Sequence, residues 1–101
     1  MISRKAASML SLARRAGKLI SGEDTVTMAI RDGMCALVII AEDASDNTKK
    51  KIIGRAEGKR TEYLVTGLRD ELSAAVGMYN RTVFAVTDST FAKKIKTELL
   101  A

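Results

Sequence analysis

The six-residue stretch ALVIIA, residues 36–41, is the strongest indication of the fold in this sequence. It is apolar at every position rather than at alternate positions, which is the pattern of a strand covered on both faces. Cys35 precedes it and is interpreted as a small core residue. The acidic pair Glu42-Asp43 follows it, at a strand end where α/β proteins tend to place functional groups. A doubly covered central strand predicts an α/β domain with helices on both sides of a sheet.

Helix and strand patterns alternate outward from this central strand. Apolar residues spaced three or four apart predict helices, and short apolar runs between them predict strands. The predicted helices cover residues 3–16 and 23–32 and begin again near residues 45, 68 and 88, and the other predicted strands cover 18–20, 62–66 and 82–86. The alternation predicts one domain, residues 1–101, built as a three-layer α/β/α sandwich around a small, mostly parallel sheet.

Glycines are the predicted helix ends in this sequence, which contains no proline. Four glycines each follow a helical pattern, where a left-handed residue commonly ends a helix: Gly17, Gly33, Gly58 and Gly77. Gly54 lies inside the third helical pattern and weakens that prediction, because glycine destabilises a helix by about 1 kcal/mol relative to alanine.

The composition favours some classes of partner and excludes others. The chain carries 17 Lys and Arg against 12 Asp and Glu, a net charge of +5, and has no histidine. A basic surface attracts nucleic acid above all. A single cysteine without histidine excludes a disulfide framework and a thiolate–imidazole metal site. With neither a secretory signal nor an apolar run of membrane-spanning length, we expect a cytoplasmic protein that binds no membrane.

Catalysis has few candidate residues, because general acid–base chemistry would fall to carboxylates, Lys, Tyr or Cys. Glu23-Asp24 and Asp70-Glu71 fall at predicted helix N-termini, where acids stabilise the helix dipole. Neither a GxGxxG motif nor a P-loop occurs. We therefore expect no enzyme and no cofactor, and a catalytic cleft near Glu42 and Asp43 is the least favoured alternative.

The segment SGEDTV, residues 21–26, joins a predicted strand to a predicted helix through a glycine. A helix N-terminus offers backbone N–H groups to phosphates or base edges, and carboxylates can accept hydrogen bonds from the amino groups of guanine or cytosine. The candidate base-contacting residues here are Ser21, Gly22, Glu23, Asp24 and Thr25. An ordinary capped helix start explains this segment equally well at this point.

The cations of the chain are clustered. Arg14, Arg15 and Lys18 bracket the turn before SGEDTV and are the candidate phosphate ligands. Further clusters lie at residues 49–51, 55–60 and 93–96. Each cluster alone is more often a solvated face, but together they suit a sequence-independent phosphate-binding contribution.

Four stretches carry a resemblance to a known family: ARRAGK (13–18), SGED (21–24), VIIAEDAS (38–45) and FAKK (91–94), with Leu72 and Gly77 between them. In this order and spacing the chain resembles the ribosomal L7Ae family, whose members bind kink-turn RNA, and most closely its small bacterial members called YlxQ. The resemblance covers nearly the whole chain. It implies a three-layer α/β/α sandwich around a four-stranded mixed sheet.

The resemblance also implies a site. In the RNA-binding members a Gly-x-Asn-Glu-x-x-Lys segment opens the second helix and contacts sheared G·A pairs. Here Gly22 matches the glycine, and the Asn, Glu and Lys positions hold Asp24, Thr25 and Met28. Only the glycine is retained, which leaves the fold untouched but weakens the expectation of tight kink-turn recognition. Ser73 stands where those members usually have glycine.

The family's second contact is a loop before the last strand, which here is residues 78–81. Tyr79 is expected to stack on an extruded base and Arg81 to hold a phosphate, with Asn80 between them. The sequence thus predicts a monomer that binds structured RNA, such as ribosomal RNA, with the ribosome as a further partner. The competing hypothesis is a protein–protein adaptor that keeps the fold but has lost specific RNA reading, since an exposed Met28 suits an adaptable contact.

Overall fold

Five helices alternate with four strands in the computed structural model, which describes all 101 residues. Their order along the chain is α1 (Arg4–Arg15), β1 (Leu19–Ser21), α2 (Glu23–Arg31), β2 (Leu37–Ile40), α3 (Asp46–Gly58), β3 (Tyr63–Val65), α4 (Arg69–Ala75), β4 (Val83–Val86) and α5 (Ser89–Leu100). Every helix and strand predicted from the sequence is present, with bounds that differ by one or two residues. None of the helices has the length and apolar composition needed to cross a bilayer.

The four strands form one sheet in the order β1-β4-β2-β3. β2 and β3 are parallel, whereas β4 pairs antiparallel with both β1 and β2. The prediction of a mostly parallel sheet is therefore wrong. The mixed four-stranded sheet implied by the resemblance is confirmed. Residues 76–82 cause the difference, because they return the chain to the edge where β3 ended, so that β4 enters there and runs back.

β2 is the centre of the fold, as its continuous apolar sequence predicts. All four of its residues are buried. Leu37 and Ile39 pack in the core cluster shared with α1, α4 and α5. Val38 and Ile40 pack on the other face, in the cluster shared with α2 and α3. Because side chains alternate along a strand, β2 contributes to the hydrophobic core on both faces of the sheet, which gives the three layers.

Most of the predicted helix ends are confirmed, with one correction. Ser45 caps α3 by accepting a hydrogen bond from the Thr48 N–H, and Asp88 caps α5. α3 continues through Gly54 and includes Gly58. The left-handed residue after α3 is therefore Arg60, with a φ of 56°, rather than Gly58. The other three glycines predicted to end helices do adopt positive φ: Gly17, Gly33 and Gly77.

The two edges of the sheet differ in the helices and residues that lie there. At the carboxyl edge β1, β2 and β3 end and β4 begins, so α2, α3 and α4 all start there. At the amino edge lie Lys18 and Cys35, which precede β1 and β2. Cys35 is half-buried against the core beside α2 and α3, and burial raises its pKa to about 11. That environment agrees with a small packing residue and keeps the thiol protonated at neutral pH.

Candidate nucleic-acid interface

The start of α2 is an uncapped helix N-terminus at the carboxyl edge. Gly22 is the N-cap, with a φ of 101° and no side chain to accept a hydrogen bond. Its own N–H donates to the Val83 carbonyl at 2.9 Å and extends the pairing of β1 with β4. The N–H groups of Glu23, Asp24 and Thr25 therefore have no acceptor within the protein. These three N–H groups and the positive end of the helix dipole face outward together.

The other four helices have side-chain acceptors at their first turns. Ser3, Ser45 and Asp88 each accept a hydrogen bond from an N–H of the helix that they precede. At α4, Asp43 accepts from the Arg69 N–H at 2.8 Å and Glu71 accepts from the Leu68 N–H at 2.9 Å. The first turn of α2 thus differs from every other first turn in the molecule. This geometry argues against the ordinary capped helix start that the sequence left open.

A guanidinium lies beside this N-terminus. A Cβ atom placed on Gly22 would be 2.5 Å from Nη1 of Arg81. The positive φ of 101° favours glycine at position 22, and any side chain there would also displace the Arg81 guanidinium. Arg81 forms no ion pair with any acidic side chain. The sequence predicted a phosphate ligand at Arg81, and the structure brings it to the same place as the predicted base-contacting turn.

Ser73 fixes the backbone of Arg81. Its side chain is buried, with 2% of the residue exposed, in the middle of α4. The Ser73 Oγ accepts a hydrogen bond from the Arg81 N–H and donates one to the Arg81 carbonyl, both at 3.0 Å. No role for Ser73 was predicted from the sequence, although a serine between Leu72 and Val76 is a polar residue on the apolar face of a helix.

The loop before β4 projects one aromatic side chain into solvent. Tyr79 is 89% exposed, and Asn80 next to it has a left-handed φ of 54°. A groove of about 550 Å³ separates this loop from the outer face of α4, and it is lined by Asp70, Ser73, Ala74, Gly77, Met78, Tyr79 and Asn80. Nothing in the protein covers the Tyr79 ring, so it is available to stack on a planar group.

The side chains around the start of α2 are of mixed charge. Asp24 and Thr25 are exposed, as is Met28, with 55% of its surface accessible. Glu23 is partly exposed, and its Oε1 lies 3.6 Å from the Nζ of Lys51 on α3. Lys51 therefore offsets the charge of the Glu23 carboxylate, which would otherwise repel a phosphate chain. We refer to Gly22, Glu23, Asp24, Thr25 and Arg81 together as the Gly22–Arg81 surface.

The cations predicted to flank this surface are not all brought to it. Nη1 of Arg14 donates to the Val76 carbonyl at 2.9 Å and so satisfies the C-terminal end of α4. Lys18 lies at the amino edge, where its carbonyl accepts from the Thr87 N–H. β1 separates Lys18 from Gly22 by about 13 Å, at a strand rise of about 3.3 Å per residue. Arg15 is exposed in the last turn of α1.

The acidic pair after β2 has a structural explanation. Asp43 accepts the Arg69 N–H at the start of α4, and Glu42 donates its own N–H to the Gly67 carbonyl. These bonds tie the end of β2 to the turn between β3 and α4. The pair therefore joins two segments of the carboxyl edge.

Comparison with known proteins finds one matching family and two similar bacterial proteins. A model described as the ribosomal protein L7Ae/L30e/S12e/Gadd45 family matches residues 4–96. The chain is 41% identical over 87 residues to the RNA-binding protein YlxQ of Bacillus subtilis, covering 86% of this chain and 87% of that protein. It is 38% identical over 93 residues to the RNA-binding protein YlxQ of Enterococcus faecium, covering 92% and 89%.

Two solved structures share the architecture. A Bacillus halodurans protein of unknown function superposes with a TM-score of 0.92 at 34% identity, covering 98% of this chain and 100% of that one. The Giardia lamblia 15.5 kDa RNA-binding protein superposes with a TM-score of 0.79 at 16% identity, covering 99% and 92%. The second likeness, at this low identity, shows the fold alone.

Proposed function

Because the chain belongs to the ribosomal protein L7Ae/L30e/S12e/Gadd45 family, we propose that it binds structured RNA through the Gly22–Arg81 surface and catalyses no reaction. The observation that carries the proposal is the uncapped first turn of α2 with an unpaired guanidinium beside it. The two bacterial relatives named as RNA-binding proteins support the choice of ligand.

The surface offers hydrogen-bond groups of both kinds. The free N–H groups of residues 23–25 donate to phosphate oxygens or to base acceptors. The carboxylates of Glu23 and Asp24 accept hydrogen bonds from the amino groups of guanine or cytosine. Arg81 holds a phosphate through two N–H groups in a fixed plane, which a flexible lysine does not do as well. Donors, acceptors and a planar cation in one place suit an irregular RNA element with exposed base edges.

Tyr79 adds a preference for RNA with an unstacked base. Sequence-specific RNA recognition depends on bases splayed out of the helix and stacked on aromatic rings. The Tyr79 ring is exposed, and Ser73 holds the backbone of Arg81 two residues further along the chain. A kink-turn, which combines sheared G·A pairs with an extruded base, presents both features. We therefore propose a kink-turn-like element as the preferred ligand.

The partner follows from the charge and the site. A net charge of +5 attracts polyanions, and nucleic acid above all. We propose that the chain acts as a monomer on structured RNA, such as ribosomal RNA, and that it associates with the ribosome through that RNA.

A protein–protein adaptor is the second candidate. Met28 follows the Gly22–Arg81 surface along α2 and is more than half exposed. A flexible apolar side chain suits adaptable protein contacts and contributes little to a phosphate. A pulldown with the intact chain, with and without ribonuclease, separates the two functions. Partners that survive ribonuclease would favour the adaptor.

The decisive experiment is a binding titration with three proteins and two RNAs. The RNAs are a kink-turn and the same duplex with its G·A pairs replaced by Watson–Crick pairs. We expect the native chain to prefer the kink-turn. Arg81→Ala should weaken kink-turn binding about tenfold or more, because a hydrogen bond to a charged group contributes about 1.5–3 kcal/mol. The matched control is Lys94→Ala, which removes an exposed cation from α5.

The result that would overturn the proposal is equal affinity of the native chain for both RNAs together with no effect of Arg81→Ala. Lys94→Ala should change affinity less than twofold at 150 mM salt, where a distant exposed charge is screened.

A further inference from the structure

Three cations form a row along one face of α3, two within the helix and the third at its C-cap. Lys51, Arg55 and Lys59 follow each other at intervals of four residues, and all three are exposed. Residues four apart lie above one another on a helix, about 6 Å apart along its axis. We call these three residues the α3 stripe. Its spacing is close to that of successive phosphates along one RNA strand.

The α3 stripe begins beside the Gly22–Arg81 surface. Nζ of Lys51 lies 3.6 Å from Oε1 of Glu23 in the first turn of α2. α2 and α3 both start at the carboxyl edge and pack against each other, so the stripe runs away from that edge along α2. At its far end a cleft of about 220 Å³ lies between the two helices and is lined by Ile30, Arg31, Arg55, Gly58 and Lys59. The cationic surface is therefore continuous with the proposed RNA site.

The protein itself does not neutralise the far half of the stripe. Arg55 and Lys59 form no ion pair with any acidic side chain. The acid between them, Glu57, accepts a hydrogen bond from the Tyr63 hydroxyl. Like charges four residues apart on a helix destabilise it by a few tenths of a kcal/mol per pair. No contact within the fold offsets this repulsion, whereas an external chain of phosphates would.

We propose that the α3 stripe binds the phosphate backbone of the helical stem that adjoins the RNA element held at the Gly22–Arg81 surface. This inference rests on the proposed function and extends it to a second contact. Long cationic side chains contact phosphates without reading bases, so the stripe supplies affinity and orientation. Base discrimination stays with the Gly22–Arg81 surface.

The test compares two triple variants of the full chain. Lys51→Ala/Arg55→Ala/Lys59→Ala removes the stripe, and Arg4→Ala/Lys93→Ala/Lys94→Ala removes three exposed cations that form no ion pair, from α1 and α5. Both change the net charge from +5 to +2. Alanine favours helix formation, so both variants should fold, and circular dichroism checks this.

The readout is the slope of log affinity against log salt for the kink-turn RNA and its G·A-replaced duplex. In the stripe variant the slope should be less steep by about 2 to 3. Binding of both RNAs should weaken by a similar factor, about tenfold or more at 150 mM salt. The control variant should leave the slope within about 0.5 of the native value. Shortening the adjoining stem of the RNA should make the slope less steep for the native chain and leave it unchanged for the stripe variant.

Equal slopes for the stripe variant and the control variant would overturn the inference. If the native chain still prefers the kink-turn in that case, the proposed function stands and only the second contact fails. If the native chain shows no preference for either RNA, the proposed function fails, whatever the slopes of the variants.

Discussion

The start of α2 and the turn between α1 and β1 look alike in the sequence and differ in the structure. Each contains a glycine, and the sequence predicts that the cations of the second, Arg14, Arg15 and Lys18, hold phosphates beside the first. In the structure the first has free N–H groups beside the unpaired Arg81, whereas in the second Arg14 is bound to the Val76 carbonyl and Lys18 faces the other edge of the sheet. A guanidinium that an internal acceptor holds is less free to turn toward a ligand than one whose five N–H groups are all unpaired.

The largest effect should come from the glycines of these two segments. Gly22→Ala places a side chain at a φ of 101° and drives a Cβ to within 2.5 Å of Arg81, so the guanidinium must move. We expect a stability loss of about 1–3 kcal/mol from the strained backbone. RNA affinity should fall by more than tenfold because the surface loses its cation as well.

Gly17→Ala is the matched control for this substitution. Gly17 also has a positive φ, 73°, but nothing lies within 4 Å of a Cβ placed there. It should lose stability by a similar mechanism and keep its RNA affinity. Urea unfolding and an RNA titration on both variants measure the two effects, and an equal loss of affinity would contradict the distinction between the segments.

A smaller effect should follow from loosening Arg81 without removing it. Ser73→Ala deletes the hydroxyl that holds both the N–H and the carbonyl of Arg81. Leaving buried polar groups unpaired costs about 1–3 kcal/mol, and the mobile guanidinium should weaken kink-turn binding several-fold. Ser8→Ala, at an exposed position of α1, is the control and should change neither quantity. Unchanged affinity in a folded Ser73→Ala protein would show that Arg81 needs no such positioning.

The smallest effects should come from the turn between α1 and β1. Arg14→Ala should lower stability by about 1 kcal/mol, because the Val76 carbonyl loses its donor, and should change RNA affinity little. Lys18→Ala should change affinity less than twofold, since about 13 Å of strand separates it from Gly22. Isothermal titration and urea unfolding check both. A tenfold loss of affinity in Lys18→Ala would support the prediction from the sequence that Lys18 binds a phosphate beside the start of α2.

The sequence predicted much of this molecule because its signals are local. The continuous apolar run of β2, the cap at Ser45 and the alternation of helical and strand patterns each depend on neighbouring residues. The family resemblance, confirmed by the match over residues 4–96, supplied the mixed sheet that alternation alone missed. Local patterns do not state strand direction, which is why β4 was expected to run with the others.

The candidate site was predicted in part for the same reason. Gly22 and the polar residues after it were identified because they are contiguous in the chain. Ser73 and Lys51 were not assigned to the site, because they reach Arg81 and Glu23 only across the fold.

Residue type and spacing are enough to predict the helices and strands, the central strand buried on both faces, the basic charge and the glycine before α2. Which polar groups remain free depends on how the chain packs. The Arg14 guanidinium has an internal acceptor and that of Arg81 has none, and α2 is the one helix whose first-turn N–H groups meet no side-chain acceptor. The physical reason is that a donor is satisfied by whichever acceptor the packed chain brings within about 3 Å, and that acceptor is often far away in sequence.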